Sequence, residues 1–96
     1  MTSKERAFLR AKASTEEAIF QIGKGGLNDN MINSLSEALN KREIVKITVL
    51  RNCDGDQKEL MGQLCVALGA QPVCTIGNKI VLYRFSKELK EHLLGN

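Results

Sequence analysis

The chain has 96 residues, of which 43% are hydrophobic and 26% charged, with a net charge of +3. This length and balance predict one globular domain over residues 1–96 and exclude an intrinsically disordered chain. No apolar run approaches the roughly 18 residues of a membrane span, and the N-terminus lacks the apolar stretch of a secretory signal, so a cytoplasmic protein with no membrane partner is expected.

Residues 2–13 read as a helix. Thr2-Ser3-Lys4-Glu5 fits a capping box, and Phe8 and Leu9 are the large apolar residues that can pack it. Arg6 and Arg10 are four apart and share a helix face. Residues 1–13 hold Lys4, Arg6, Arg10 and Lys12 against Glu5 alone. Uneven charge of this kind can build a positive face for a polyanion, or an ordinary solvated surface.

Residues 18–22, apolar and partly β-branched, read as a short strand. Gly23-Lys24-Gly25-Gly26 follows, and Asn28 is placed to cap a second helix over residues 29–41. Met31, Ile32, Leu35, Ala38 and Leu39 recur at helical spacing, so one face of that helix belongs to the core. Residues 44–50 form a strand with Val45, Ile47 and Val49 on one side and Lys46 and Thr48 on the other. Asn52-Cys53-Asp54-Gly55-Asp56 is turn chemistry, and Asp56 can cap a third helix that stops at Gly69. Gly62 inside that helix costs about 1 kcal/mol relative to alanine, which suggests close packing there. Residues 72–76 and 79–85 are strands joined by Gly77-Asn78, a two-residue hairpin signal. The polar tail after residue 85 reads as a short helix or a frayed end.

The order is α-β-α-β-α-β-β. Strands joined through helices imply right-handed parallel crossovers, and the final hairpin is antiparallel. The prediction is an α/β domain, a two-layer sandwich with a mixed four-stranded sheet.

Strand, glycine loop and helix together offer free backbone amides and a helix N-terminus to an anion. The nucleoside-triphosphate loop fails here, because Lys24 is followed by Gly25 and no hydroxyl is placed for magnesium. The dinucleotide fingerprint fails at its last glycine, where Asn28 stands. What remains is GxxG, Gly23-Lys24-Gly25-Gly26, which in KH-type domains clamps a nucleotide backbone. A tight structural turn would use the same residues.

The aromatics Phe8, Phe20, Tyr83 and Phe85 do not form a base-stacking signature, and Phe8 and Phe20 read as core. His92, the only histidine, reads as a solvated side chain. Cys53, Cys65 and Cys74 lack metal-ligand spacing and read as small, reduced core residues. No catalytic residue, metal, cofactor or small-molecule substrate is therefore expected, and the protein is not expected to be an enzyme.

With these residues in view, the chain resembles the CRM-domain family, the chloroplast RNA splicing and ribosome maturation domain. The match is nearest the stand-alone bacterial YhbY-type RNA-binding proteins. The resemblance covers about residues 2–87 and rests on "SKERAFLR", "FQIGKGGLN", "EALNKREIVKITVL" and "IGNKIVLYR". It implies a fold similar to the C-terminal domain of translation initiation factor three. It also implies RNA binding, with ribosomal RNA or a large-subunit precursor particle as partner, and a role in ribosome assembly. The implied RNA-binding residues are Gly23, Lys24, Gly25, Gly26, Arg6 and Arg10, followed by Lys4, Lys12 and Asn28. After the first helix many members carry His-rich and Pro-containing residues, whereas this chain has Ser14-Thr15-Glu16-Glu17-Ala18, which is less positive. The alternative is a protein-interaction module whose basic face docks an acidic partner.

Overall fold

A computed structural model describes residues 1–53 and 55–95. The expected turn around Asp54 and the last residue, Asn96, thus lie partly or wholly outside the described residues.

Helix α1 (Ser3–Ser14) begins at the capping box expected from the sequence. The Thr2 hydroxyl accepts from the Glu5 amide at 3.1 Å, and the Glu5 carboxylate accepts from the Thr2 amide at 2.8 Å. Strand β1 (Phe20–Ile22) is shorter than expected, because only these residues pair with a neighbour. Helix α2 (Asp29–Arg42) follows the Asn28 cap, and strand β2 (Ile44–Val49) follows α2. Helix α3 (Gln57–Leu68) starts at Asp56 and ends at Gly69, whose φ of 63° is the left-handed stop that glycine permits. Strands β3 (Gln71–Ile76) and β4 (Lys79–Tyr83) close the domain as a hairpin. Gly77 alone of the two turn residues has positive φ, the pattern of a II′ turn.

The sheet order is β1-β2-β4-β3. Strands β1 and β2 are parallel; β2 with β4 and β4 with β3 are antiparallel. The sheet is therefore mixed, as expected, and β3 runs in the direction of β2 with β4 between them.

The expectation of two layers takes one refinement. Leu35 and Leu39 of α2 and Leu60, Leu64 and Leu68 of α3 pack with Val45, Ile47, Ile80 and Leu82 on one face of the sheet. Leu9 and Ala13 of α1 pack with Ile44, Val73, Val81 and Tyr83 on the other. The physical reason lies in β4. Its run Ile80-Val81-Leu82-Tyr83 is buried at every position, and a strand with no polar face needs cover on both sides. Each such side chain contributes roughly 1.5–3 kcal/mol on full burial.

Two polar devices close the packing. Lys46, on the α1 side of β2, donates to the carbonyls of Ala13 at 3.1 Å and Glu16 at 3.4 Å, a cation set at a helix C-terminus. Arg84 donates to the carbonyls of Leu68 at 2.8 Å and Ser36 at 2.7 Å, and to the Asn40 side chain at 2.9 Å, tying α2 to α3.

The tail corrects two sequence expectations. It is neither helical nor frayed, and His92 is not solvated. Glu43 follows α2 in the left-handed region at φ 65°, and its side chain is fully buried. Its carboxylate accepts from the Ser86 amide at 2.8 Å and the Leu93 amide at 2.9 Å, and lies 2.7 Å from His92 Nδ1. The Ser86 hydroxyl donates to the Asn40 carbonyl at 2.6 Å. Phe85 stacks on the His92 ring with centroids 4.1 Å apart, and Leu93 and Leu94 pack against the α1-side core. Residues 86–93 are thus strapped over one end of the sheet, with the Glu43 carboxylate at the centre of the contacts.

Gly62 is also corrected. It lies on the exposed face of α3, and a methyl group there would meet no atom within 4 Å. Gly62→Ala should therefore raise stability by about 0.5–1 kcal/mol, through the lower backbone entropy of the unfolded chain. Urea unfolding would read this as a higher midpoint at unchanged slope; a lower midpoint would mean that this face of α3 is packed after all.

Candidate nucleic-acid interface

Residues 23–26 leave the carboxyl end of β1 and lead to the start of α2. The Gly26 amide donates to the Gly23 carbonyl at 3.0 Å, closing a four-residue turn. Its third residue, Gly25, has φ 96°, the requirement of a type II turn, and Gly26 continues at φ 65°. These two positions explain why glycines stand here, because other L-residues rarely adopt such φ values. A Cβ at either would meet nothing within 4 Å, so the outer side of the turn is open. Lys24, between them and Gly23, is exposed.

Gly23 has no positive φ and is instead crowded on one side. A Cβ there would lie 3.2 Å from Asn52 Oδ1 and 3.3 Å from Leu50 Cδ1. The turn therefore rests against the loop that follows β2. The Leu50 amide donates to the Ile22 carbonyl at 2.8 Å, which extends the β1–β2 pairing to the edge of the turn.

Asn28 ends the segment. Its side-chain oxygen accepts from the Met31 amide at 2.9 Å and is committed to capping α2. The remaining first-turn amides lie at the positive end of the helix dipole, close in sequence to the turn, although Asp29 in the first turn offsets part of that charge.

The basic residues of α1 form a second group. Lys4, Arg6, Arg10 and Lys12 are all exposed, and at helical spacing Arg6 and Arg10 flank the stripe of the buried Leu9 and Ala13. Burial pushes the Cys74 thiol pKa up, and the charges of Arg10, Lys46 and Arg6 oppose that rise, in keeping with the packing of Leu9 and Ala13 against Val73 of β3. The structure thus brings Arg6 and Arg10 together on the α1 side of the sheet. It brings Gly23, Lys24, Gly25 and Gly26 together at the carboxyl end of β1.

The aromatics separate likewise. Phe20 packs against the main core as expected, but Phe8 is 50% exposed and is not core. It stands beside Lys4, Glu5, Leu93 and Leu94 around an open hollow. Helices cover both sheet faces, so the sheet itself offers no base-stacking platform. Cys53, Cys65 and Cys74 are half-buried against the two cores. Among the described residues no cluster of three or more His, Cys, Asp or Glu could hold a metal ion, and no helix is long and apolar enough to cross a membrane.

Sequence reasoning missed the neighbouring 50–52 loop. The signal available was topological: two adjacent parallel strands deliver their following loops to the same end of the sheet. Lys46, which the sequence placed only on the side of its strand away from Val45 and Ile47, fastens α1.

Comparison with known proteins places this geometry in a family. The model of the CRS1 / YhbY (CRM) domain matches residues 1–84. The chain is 50% identical over 91 residues to the probable RNA-binding protein YqeI of Bacillus subtilis, covering 95% of each chain. It is 32% identical over 94 residues to an RNA-binding protein of Haemophilus influenzae, covering 97% of this chain and 94% of that one. The solution structure of the hypothetical protein SAV1595 from Staphylococcus aureus matches with a TM-score of 0.79 at 46% identity, covering 94% of both chains. With the matched region running from α1 through β4, the chain belongs to the CRS1/YhbY (CRM) domain family.

Proposed function

We propose that this protein binds RNA without catalysing a reaction, through the 23–26 turn and the exposed basic side of α1, and that it acts on precursors of the large ribosomal subunit. The observation that carries the reading is the turn itself. Two positive-φ glycines hold an outward side open beside an exposed lysine, close to a helix N-terminus. A phosphate needs that combination: close approach to backbone amides, a cation, and favourable dipole. Family membership and the names of the relatives support RNA as the ligand. Arg6 and Arg10 extend the positive surface, and a guanidinium can meet a phosphate through two donors. Recognition of this kind reads backbone and shape more than base identity.

The experiment is a salt titration of RNA affinity. Arg6, Arg10, Lys24 and one or two further contacts should give a slope of log K against log salt of roughly −3 to −4, at about −0.7 per phosphate on single strands. A slope near zero contradicts the reading. In cell extract, the Arg10→Ala/Lys24→Ala variant should leave the large-subunit precursor fraction of a sucrose gradient for the free-protein fraction. Retention of that variant on the precursor, surviving nuclease treatment, would point to a docked acidic protein instead.

A further inference from the structure

The loop after β2 meets the glycine turn. Strands β1 and β2 are adjacent and parallel, so residues 23–26 and residues 50–52 emerge at the same end of the sheet. The contact is close: Asn52 Oδ1 and Leu50 Cδ1 lie 3.2 and 3.3 Å from where a Gly23 Cβ would stand. Between those two residues stands Arg51, exposed and engaged by no hydrogen bond or ion pair among the described residues. The other cations built into this fold, Lys46 and Arg84, are consumed by carbonyls. The nearest described carboxylate in sequence, Asp56, accepts from the Lys58 amide at 3.4 Å as the cap of α3. Two adjacent parallel strands deliver the loops at their carboxyl ends to one rim of the sheet, so a ligand that meets one loop there is within reach of the other.

We propose that the 50–52 loop is the second wall of the RNA interface, and that Arg51 contacts the phosphate adjoining the one met by Lys24. The inference rests on the reading of the 23–26 turn as an RNA site and extends it to a surface nothing in the GxxG motif names. An RNA strand then crosses the end of the β1–β2 pair, with Lys24 on one side and Arg51 on the other.

Fluorescence anisotropy with a labelled 20-nucleotide single-stranded RNA tests it. Wild type, Lys24→Ala, Arg51→Ala and Lys90→Ala are each titrated from 50 to 300 mM KCl, after thermal unfolding has shown equal stability. Lys90 is an exposed tail residue and controls for loss of one positive charge. Arg51→Ala and Lys24→Ala should each flatten the slope by about 0.7, which amounts to roughly fivefold weaker binding at 0.1 M salt. Lys90→Ala should leave the slope unchanged. If Lys24→Ala shows its loss while Arg51→Ala behaves like Lys90→Ala, the second wall is wrong and the turn remains. If neither differs from Lys90→Ala, the turn reading falls and the inference falls with it. A loss confined to Arg51→Ala also overturns the shared path.

Discussion

Glu43→Ala should destabilise the protein by roughly 3 kcal/mol, a large share of the about 5–15 kcal/mol that holds a domain of this kind. The carboxylate is fully buried and serves two backbone amides and one imidazole at 2.7–2.9 Å. Truncation leaves the Ser86 and Leu93 amides without an acceptor and releases the tail from the sheet. Glu43→Gly should be less damaging than Glu43→Ala by about 1 kcal/mol, because φ 65° strains alanine but not glycine. Equal losses would mean that the backbone there relaxes.

The same group predicts an acid-sensitive tail. Burial raises the Glu43 pKa, but donors from Ser86, Leu93 and His92 outweigh it, and the net shift is below the ordinary 4.5. A carboxyl lowered on folding contributes its stability above its unfolded pKa and loses it as pH falls through the folded one. The difference in unfolding free energy between wild type and Glu43→Gln should therefore be full at pH 7 and shrink as pH falls below the ordinary 4.5. A difference that stays constant down to pH 3 would contradict the ionic role of Glu43.

What the sequence made legible was what local chemistry decides. Thr2 with Glu5, Asn28, Asp56 and Gly69 each mark a helix end through bonds within a few residues. The alternation of Val45, Ile47 and Val49 against Lys46 and Thr48 assigned faces correctly, since period two is a property of the strand alone. Glu43 was not legible. It sits in a charged run at the end of α2, and its partners Ser86 and Leu93 lie 43 and 50 residues away. Only the assembled sheet brings them under it, and His92 inherits its burial from the same contact. Arg84 was visible in the family-like motif, but its clamp on Ser36 and Leu68 depends on how α2 and α3 pack. For the candidate site, spacing exposed the glycine turn, whereas its neighbour at Leu50 and Asn52 required the strand order.

The second large effect bears on the central claim, that the 23–26 turn meets an RNA phosphate. Gly25→Asp should weaken RNA binding at least about tenfold, or roughly 1.4 kcal/mol. Space permits the side chain, since nothing lies within 4 Å of the new Cβ, but φ 96° adds strain that must be separated from charge. Gly25→Asn provides that separation, because it has nearly the same shape and the same backbone conflict without the negative charge. The decisive measurement is therefore the affinity of these two variants for one single-stranded RNA, at matched salt and with thermal stability recorded for both. The account predicts that Asp binds at least about tenfold more weakly than Asn at equal stability, as repulsion of a phosphate requires. Two folded variants that both bind as wild type does would reduce the turn to a structural corner and place the RNA elsewhere.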